Sequence, residues 1–331
     1  MYKRQGKIAV ALTATSLNIF NERKLLNVVD IDGGYSLKIS SSLENIFVLN
    51  SKKLACFDYW GNLKWEYNSD GLVDYFELDP LGKNIVLRGE KFVIFLNRFG
   101  DFEWDYNFSE YIIDMQYTTS GTFLISTINQ IYSLSSRNNF DEILKISGQK
   151  KTFFNDDGGI SISDSNLTSF SLTGHITWQK DLPGANCVRF SNSSLMNYFI
   201  ESDKKLVCQD RNGNILWTYT SEDDLQNFKI INSGMMIGLF SNNYFHVLDE
   251  NGKQAWAYYA REKVVDFSFS SYGGDVIIAS ENKIHWFQNE GFLRNQVSIN
   301  LKSIESLIPK VSSHESNISD CLLYTSPSPR D

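Results

Sequence analysis

Few side chains in this 331-residue chain combine the residue types and the spacing that metal binding requires. His246 and His285 lie 39 residues apart (285 − 246) and occupy the same position of a repeated pattern. Two imidazoles at equivalent positions could share one metal ion, but the pattern supplies no third ligand. Because Ile94 and Val207 fill that position elsewhere, we interpret both residues as ordinary half-buried histidines and predict no metal site.

The spacing of the cysteines and histidines gives no support for covalent or redox chemistry. Cys56 and Cys208 share one repeat position, Cys187 lies on a predicted first strand, and the chain has no Cys-x-x-Cys pair. Equivalent positions of different repeats are too far apart for a disulfide, so we predict buried free thiols, which favour a reducing compartment. No histidine can be matched to a Ser or Cys nucleophile by spacing. We therefore predict no catalytic residue and no cofactor.

Most of the regularly spaced side chains belong to a repeat, Asp-x-x-Gly-x-x-x-Trp. The glycines fall at positions 61, 100, 174, 213, 252 and 291, separated by 39 residues (100 − 61) or by 74, which is two slightly shorter units (174 − 100). The pattern is complete three times and varied at one position twice, at Asp58-Gly61-Trp65, Asp210-Gly213-Trp217, Asp249-Gly252-Trp256, Asn97-Gly100-Trp104 and Ser171-Gly174-Trp178. A period near 40 residues built from short strands is typical of a β-propeller.

Each repeat contains four predicted strands. In residues 267–295 an alternating segment, a continuous apolar run at 276–279, a third strand at 284–287 and an outer strand follow one another, with a turn between each pair. The tryptophan lies on the outer strand, where its ring can cover the junction with the next blade. We predict that the five repeat tryptophans are buried and have a packing role: Trp65, Trp104, Trp178, Trp217 and Trp256. The alternative is an aromatic platform for a ligand. Trp60 lies in a turn and is predicted to be more exposed.

The repeat count predicts an all-β fold, a β-propeller of four-stranded blades with eight blades, or alternatively seven. Residues 8–12 are predicted to be a second strand and 17–20 a third strand, so the chain begins inside a blade. Residues 304–309 are a predicted first strand, because 269 + 39 is 308. The eighth blade would then join the two ends of the chain, which removes exposed sheet edges.

Both ends of the chain differ from the repeat. Residues 1–5 (MYKRQ) and 321–331 (CLLYTSPSPRD) can be encoded by reverse-complementary copies of one DNA element. We therefore predict that 1–5 is an adapter-derived scar, that 6–320 is the propeller, truncated at both ends, and that 321–331 is an adapter-derived disordered tail outside its sheets. Without the two tails the net charge changes from −8 to −10 (−8 − 2 − 1 + 1).

An acidic binding face is the one candidate site that the charged residues suggest. Asp114 and Asp266 begin first strands at matching positions, and Asp74 lies one residue earlier. Because the starts of first strands often edge the central channel of a propeller, these carboxylates could bind cations or a basic peptide. The alternative is a solvated rim without a ligand. The negative net charge and the lack of a basic stripe argue against nucleic-acid partners.

The repeat resembles that of the PQQ-like β-propellers, whose blades carry Ala-x-Asp-x-x-x-Gly-x-x-x-Trp, with one residue fewer between Asp and Gly here. The turn Asp79-Pro80-Leu81-Gly82 also resembles WD40 repeats. The PQQ-like resemblance implies either a quinoprotein dehydrogenase, which holds its cofactor beneath adjacent cysteines, or a noncatalytic scaffold or sensor. This chain has no adjacent cysteines. The leading hypothesis is a noncatalytic scaffold that binds a protein or peptide, and the alternative is a ligand-sensing or enzymatic propeller with a site in its central channel.

Overall fold

The computed structural model describes most of the chain between residues 8 and 298 and one short segment near its end. The described residues are 8–13, 15–21, 24–40, 45–164, 166–182, 187–190, 196–230, 236–269, 275–281, 283–288, 290–298 and 323–325. Within these ranges every regular element is a β-strand, and there is no helix of the length and apolarity that a membrane crossing requires.

The strands form eight antiparallel sheets of four strands each, and the fold is an eight-bladed β-propeller, as the repeat predicts. Blade 1 consists of β1 Ile8–Leu12, β2 Ser16–Asn21 and β3 Lys24–Asp30, with β32 Leu323–Thr325. Blade 2 consists of β4 Ser36–Ile39, β5 Ile46–Leu49, β6 Lys53–Phe57 and β7 Leu63–Asn68. Blade 3 consists of β8 Val73–Leu78, β9 Asn84–Gly89, β10 Phe92–Asn97 and β11 Phe102–Asn107. Blade 4 consists of β12 Ile112–Tyr117, β13 Phe123–Thr127, β14 Gln130–Ser136 and β15 Asn139–Lys145.

The remaining four blades follow in chain order. Blade 5 consists of β16 Lys151–Phe154, β17 Gly158–Ile162, β18 Asn166–Ser171 and β19 Ile176–Asp181. Blade 6 consists of β20 Cys187–Phe190, β21 Met196–Ser202, β22 Lys205–Asp210 and β23 Ile215–Thr220. Blade 7 consists of β24 Asn227–Ile230, β25 Met236–Ser241, β26 Tyr244–Asp249 and β27 Gln254–Tyr259. Blade 8 consists of β28 Val264–Phe269, β29 Asp275–Ser280, β30 Lys283–Gln288 and β31 Leu293–Ser298.

Burial follows the position of a strand in its blade. The second strands are covered on both faces, as the BBBBB pattern of β13 shows, because their runs of Val, Ile, Leu and Phe leave no polar face. The outer strands alternate instead, with the pattern eeieie in β7, β19, β23 and β27. The second strands are therefore buried, the first strands are partly buried, as the pattern BeiBii of β8 shows, and the outer strands leave one face to solvent.

The outer strand of most blades begins with a β-bulge. In blade 2 the pairing shifts from Phe57↔Leu63 to Cys56↔Trp65, so Lys64 is an extra residue opposite the third strand. The same shift occurs in blades 1, 3, 5, 6 and 8. In blade 4, where the repeat has lost its glycine, Asn138 takes the left-handed conformation with φ 61°, as an asparagine in that turn predicts.

Blade 1 places β1 as its second strand and β2 as its third strand, which confirms the prediction for the start of the chain. Its first position is filled by β32, with Ala9 opposite Thr325 and Ala11 opposite Leu323. The expectation that the whole 321–331 segment stays unpaired is therefore wrong for these three residues. The edge of β1 offers unpaired N–H and C=O groups, and Leu-Tyr-Thr has high β-propensity. The segment 304–309 lies outside the described residues, and the DNA origin of the ends stays a prediction.

The chain divides into two compact units, residues 1–75, 242–246 and 255–331 in one and residues 76–241 and 247–254 in the other. The first unit contains an apolar cluster shared by blades 1 and 2 and a second shared by blades 1 and 8, where Phe20 contacts Trp286 edge to face at 5.5 Å. In the second unit, separate clusters join blades 4 to 5, 5 to 6 and 6 to 7. Each unit is therefore held by layers of side chains between adjacent sheets.

Candidate binding surface

In blades 2, 6 and 7 the repeated aspartate closes the turn that precedes the outer strand. Asp210 Oδ1 accepts hydrogen bonds from the N–H groups of Asn212 and Asn214 at 2.9 and 2.8 Å, and Oδ2 accepts one from the Asn214 amide at 2.8 Å. These bonds, led by the Asn214 side chain, hold the pKa of Asp210 below its usual range. Asp58 and Asp249 make the corresponding backbone contacts. The carboxylates of the repeat thus have a structural partner and do not form a separate acidic site.

The repeated tryptophan and glycine meet between adjacent blades. Trp178 Nε1 donates to the carbonyl oxygen of Arg211 at 3.1 Å, and Trp217 Nε1 donates to that of Glu250 at 2.9 Å. Gly252 lies against the Trp217 ring, because a Cβ there would be 2.5 Å from Cε3. This arrangement agrees with the predicted packing role. The rings are less buried than predicted: Trp104 is 8% exposed, whereas the other four are half-buried, because one edge of the outer strand faces solvent.

His285 belongs to a buried polar network within the first unit. Its Nε2 lies 3.2 Å from Ser280 Oγ, which donates to Glu262 at 3.0 Å, and its Nδ1 lies 3.4 Å from Tyr258 Oη. Lys283 forms an ion pair with Glu262 at 3.1 Å. Burial, with a smaller contribution from Lys283, lowers the pKa of His285 to about 4. In a nucleophilic triad the imidazole lies between the hydroxyl and the carboxylate. Here the Ser280 hydroxyl lies between the Glu262 carboxylate and the His285 imidazole, so the geometry differs from that of a triad.

The two histidines differ in environment. His285 is 1% exposed, which corrects the expectation that it is half-buried, whereas His246 is half-buried and stacks against Tyr244 at 6.1 Å. Among the described residues no group of three or more His, Cys, Asp or Glu side chains is arranged to hold a metal ion.

Cys56 and Cys208 are free and fully buried. Burial raises the pKa of the Cys56 thiol to about 12 and that of Cys208 to about 11, so both stay protonated near neutral pH. A protonated, buried thiol is a poor nucleophile. The prediction of buried free thiols is confirmed for these two residues, and the Cys187 side chain lies outside the described part of the structure.

The three predicted face residues lie on first strands and differ in exposure. Asp74, the second residue of β8, is exposed; Asp114 on β12 is half-buried; and Asp266 on β28 is only 1% exposed. Asp114 and Asp266 each follow a register shift at the start of their strands. Because the Asp266 side chain is buried, it is not accessible to a ligand, and Asp74 is the exposed member of the set. That the three form one binding face stays a prediction.

The first strands also carry positive charges that the sequence argument did not weigh. The Asp, Glu, Lys and Arg residues of the described first strands are four acids and four bases: Asp74, Glu77, Asp114 and Asp266, and Lys38, Lys151, Arg189 and Lys229. Lys38 Nζ donates to Tyr75 Oη at 2.9 Å and lies 4.4 Å from the centre of that ring. With equal numbers of both signs, the first strands as a set are neutral, which weakens the argument for a purely acidic field.

A recurrent exposed apolar side chain is the surface feature that sequence reasoning missed. The residue two before the tryptophan position is large, apolar and 47–55% exposed in six blades. These residues are Leu25, Leu63, Phe102, Ile176, Ile215 and Leu293. In each of these blades the residue lies on the turn side of the bulge, which re-aims side chains relative to a regular strand. The sequence repeat shows that this position is apolar. The exposure of the side chain depends on the bulge, which the sequence does not show.

The sequence matches no protein-family model, and no curated protein is significantly similar to it. Three solved structures that resemble it are β-propellers. The dihydro-heme d1 dehydrogenase NirN, solved in complex with DHE, superposes with a TM-score of 0.78 at 8% identity, over 89% of this chain and 74% of that chain. BamB from Moraxella catarrhalis gives 0.63 at 14% identity, over 88% and 91%.

Sqt1 from Saccharomyces cerevisiae gives a TM-score of 0.68 at 9% identity, over 89% of this chain and 88% of that chain. The three relatives include a dehydrogenase by name and two proteins whose names state no reaction. At such low identity a common fold is shown and a common site is not. The chain is similar to β-propellers of more than one functional type, and it has their fold.

Proposed function

We propose that this propeller is a noncatalytic scaffold that binds a protein or peptide. The observation that carries the proposal is the set of exposed apolar side chains that begin the outer strands. Scattered single apolar residues are normal on a protein surface, but a large apolar side chain that recurs at one position of a repeat is a patterned surface. Aromatic and apolar side chains of this kind supply the centre of protein–protein interfaces.

The second support is the state of the reactive groups. Cys56 and Cys208 are buried, and burial raises their pKa values, so the thiols stay in the protonated form, which is a poor nucleophile. His285 is also buried, and its ring nitrogens contact the hydroxyl groups of Ser280 and Tyr258. The carboxylate of Asp210 closes a turn. These groups contribute to packing and turn geometry, while the apolar residues of the outer strands contribute less to burial in the fold and remain available to a partner.

A capture experiment tests the proposal. The tagged protein and a triple variant, Phe102→Glu, Ile176→Glu and Ile215→Glu, are compared for the proteins they retain from a lysate of the source organism. We expect at least one protein to be retained stoichiometrically by the wild type and reduced about tenfold or more by the variant, because a charge in an apolar contact costs more than one kcal/mol. Leu81→Glu is the control, since Leu81 is 75% exposed in a turn outside the outer strands. Equal retention by the triple variant would contradict the proposal.

The acidic face remains part of the proposed function, as a contact to a basic segment of the partner. Asp74 is the member to test, because it is exposed, whereas a change at Asp266 would disturb the interior. Asp74→Lys should weaken binding of the captured partner more at low than at high ionic strength, since screening shortens the range of surface charges. If Asp74→Lys changes the binding of the partner equally at both salt concentrations, Asp74 does not make a charge contact at the interface.

The alternative is a ligand-sensing or enzymatic propeller of the PQQ-like type. It is favoured by the Lys38–Tyr75 pair on two first strands, which places an ammonium group beside a phenol, and by the resemblance of the repeat to PQQ-like blades. Elemental analysis and absorption spectroscopy of the purified protein separate the two functions. A redox cofactor or metal bound at one equivalent per chain would favour the alternative and overturn the scaffold proposal.

A further inference from the structure

The junction between blades 3 and 4 holds a group of aromatic rings within the second unit. Phe108, which follows β11, is 8% exposed. The ring centres of Tyr106, Tyr132 and Phe140 lie 4.8, 5.4 and 5.2 Å from that of Phe108, and their planes are inclined to it by 62°, 55° and 58°. We call these four residues the aromatic cluster. Its three outer residues are half-buried, so part of each reaches solvent.

Two members of the aromatic cluster depart from the repeat. The N–H of Phe108 donates to the Lys91 carbonyl at 2.7 Å, and the residues that make the same bond in blades 2, 6 and 7 are small: Ser69, Ser221 and Ala260. Tyr132 is the third residue of its third strand, a position that is aliphatic or histidine in four other blades: Ile94, Val207, His246 and His285. Departures from a repeat that meet at one junction indicate a local role beyond the fold.

Glu142 brings a carboxylate to the same face of blade 4. It lies opposite Tyr132 in the pairing of β14 with β15, and the register shifts of this ladder fall outside Tyr132–Leu134. Because side chains alternate along a strand, Glu142 and Phe140 share a face, and the contact of Phe140 with Phe108 shows that this face is turned toward blade 3. Glu142 Oε2 accepts a hydrogen bond from Gln130 Nε2 at 2.9 Å.

Glu110 adds a second negative charge beside Tyr132. Its carboxylate accepts hydrogen bonds from the Asn129 amide at 3.0 Å and from Thr127 Oγ1 at 2.7 Å, and these bonds lower the pKa of Glu110. Burial, followed by the charges of Glu110 and Glu142, raises the pKa of Tyr132. The surroundings of this ring are therefore negative.

Two lysines near the aromatic cluster have other contacts. Lys145 Nζ lies 3.7 Å from Glu142 Oε1 in an exposed ion pair, and Lys91 Nζ lies 4.4 Å from the centre of the Tyr111 ring. Within the described part of the chain, no Lys or Arg side chain lies over any of the three half-buried rings. An exposed ion pair such as that of Lys145 is weak, so another cation can replace it.

We infer that the aromatic cluster, together with Glu142 and Glu110, binds an arginine or lysine side chain in a basic segment of the partner. This inference rests on the proposed scaffold function and names the chemistry of the partner. A cation is attracted to the face of an aromatic ring, and a carboxylate beside the ring adds a charge-assisted hydrogen bond. Arginine suits the site best, because its planar guanidinium group can stack on a ring and donate to a carboxylate.

Fluorescence anisotropy of a labelled peptide of alternating arginine and glycine tests the inference with the full chain. The wild type should bind this peptide at least about tenfold more tightly than the same peptide with glutamine in place of arginine. Phe140→Leu and Tyr132→Leu should each weaken binding about fivefold, since each change removes a ring and keeps an apolar side chain. Tyr132→Phe keeps the ring and should bind within about twofold of the wild type.

Matched controls exist for the carboxylate and for the rings. Glu142→Gln should weaken binding about threefold, and more at low than at high salt. Glu66→Gln is its control, because Glu66 is also a glutamate of an outer strand that forms an ion pair at the surface. Tyr244→Leu is the control for the rings, because Tyr244 is 41% exposed and contacts Tyr259 in blade 7. Thermal unfolding shows whether each variant is folded as the wild type is.

Equal binding of the arginine and glutamine peptides by the wild type would overturn the inference. Leucine variants that bind as the wild type does would also overturn it. The same holds if Glu66→Gln and Tyr244→Leu weaken binding as much as the changes in the aromatic cluster, since that would indicate a general attraction of basic peptides to an acidic protein.

The peptide assay is independent of the capture experiment, so the two proposals can fail separately. A partner captured through the outer-strand residues, with no preference for the arginine peptide, would reject this inference and leave the scaffold function. An arginine preference that depends on Phe140 and Tyr132, without any captured protein, would support the aromatic cluster and count against the outer-strand contact.

Discussion

Trp217 is the residue at which the repeat can be tested most directly. Its ring lies over Gly252 of the next blade, its centroid is 5.9 Å from that of Tyr198, and its Nε1 donates to the Glu250 carbonyl at 2.9 Å. Truncation of a fully buried tryptophan to alanine costs about 3–5 kcal/mol. Because Trp217 is half-buried, and water can replace the donor at the exposed carbonyl, we expect Trp217→Ala to cost about 2–3 kcal/mol of unfolding free energy.

The glycine beneath the ring supplies a double-mutant test. Gly252 has φ +78°, and a Cβ there would lie 2.5 Å from Trp217 Cε3. Gly252→Ala therefore adds a clash to a left-handed backbone that costs about 1 kcal/mol for an alanine. In the Trp217→Ala background the clash is gone and the backbone cost remains. We expect the double variant to be about 1–2 kcal/mol more stable than the sum of the single changes predicts.

Urea unfolding followed by far-UV circular dichroism measures these differences, provided that the slope with denaturant is the same in all variants. Trp60→Ala is the control, because Trp60 is 48% exposed in a turn and should cost well under 1 kcal/mol. A loss below about 1 kcal/mol for Trp217→Ala would refute the packing role of the repeat. Strictly additive single changes would show that the ring and the glycine do not meet in the folded protein.

Two further predictions concern pH and the turn. Burial lowers the folded-state pKa of His285 to about 4, below the unfolded value of about 6.5, so its contribution to stability is complete above pH 6.5 and is lost as the pH falls toward 4. His285→Gln should flatten thermal stability against pH in that window, and an unchanged slope would show that His285 is not the group responsible. Asp249→Ala removes the acceptor for the N–H groups of Asn251 and Lys253 and should cost about 1 kcal/mol in urea unfolding. Asp249→Asn should cost much less, as Asn97 closes the equivalent turn, and equal costs for both changes would contradict the turn argument.

The sequence alone predicts the blades, their number and the position of most strands. This succeeds because the repeat encodes local events: a glycine that must be left-handed, an Asp that closes the turn, and an apolar run between turns. The assignment of 8–12 and 17–20 to second and third strands is confirmed for the same reason. Because the repeat has a fixed period, the same turn and strand pattern can be located along the chain.

Features that depend on tertiary packing could not be predicted from the repeat. Asp266 has the same type and strand position as Asp114, and only the packing around it shows that it is buried. The pairing of Leu323–Thr325 with β1 depends on an open edge, which a sequence pattern does not contain. The exposure of Ile215 and its equivalents depends on a bulge of one residue, whose effect on side-chain direction requires the strand register.

Blade 1 separates the two roles that tryptophan combines in the other blades. Asn27 takes the tryptophan position and donates to the carbonyl of Trp60, 33 residues later (60 − 27), the same offset at which Trp178 and Trp217 donate. The hydrogen bond to the next turn therefore survives without the ring. From this we expect Trp217→Asn to keep the bond to Glu250 and to lose only the packing, so that it is about 1 kcal/mol more stable than Trp217→Ala in urea unfolding. If Asn and Ala at position 217 are equally destabilising, the bond adds nothing to the junction, and the ring accounts for the whole effect.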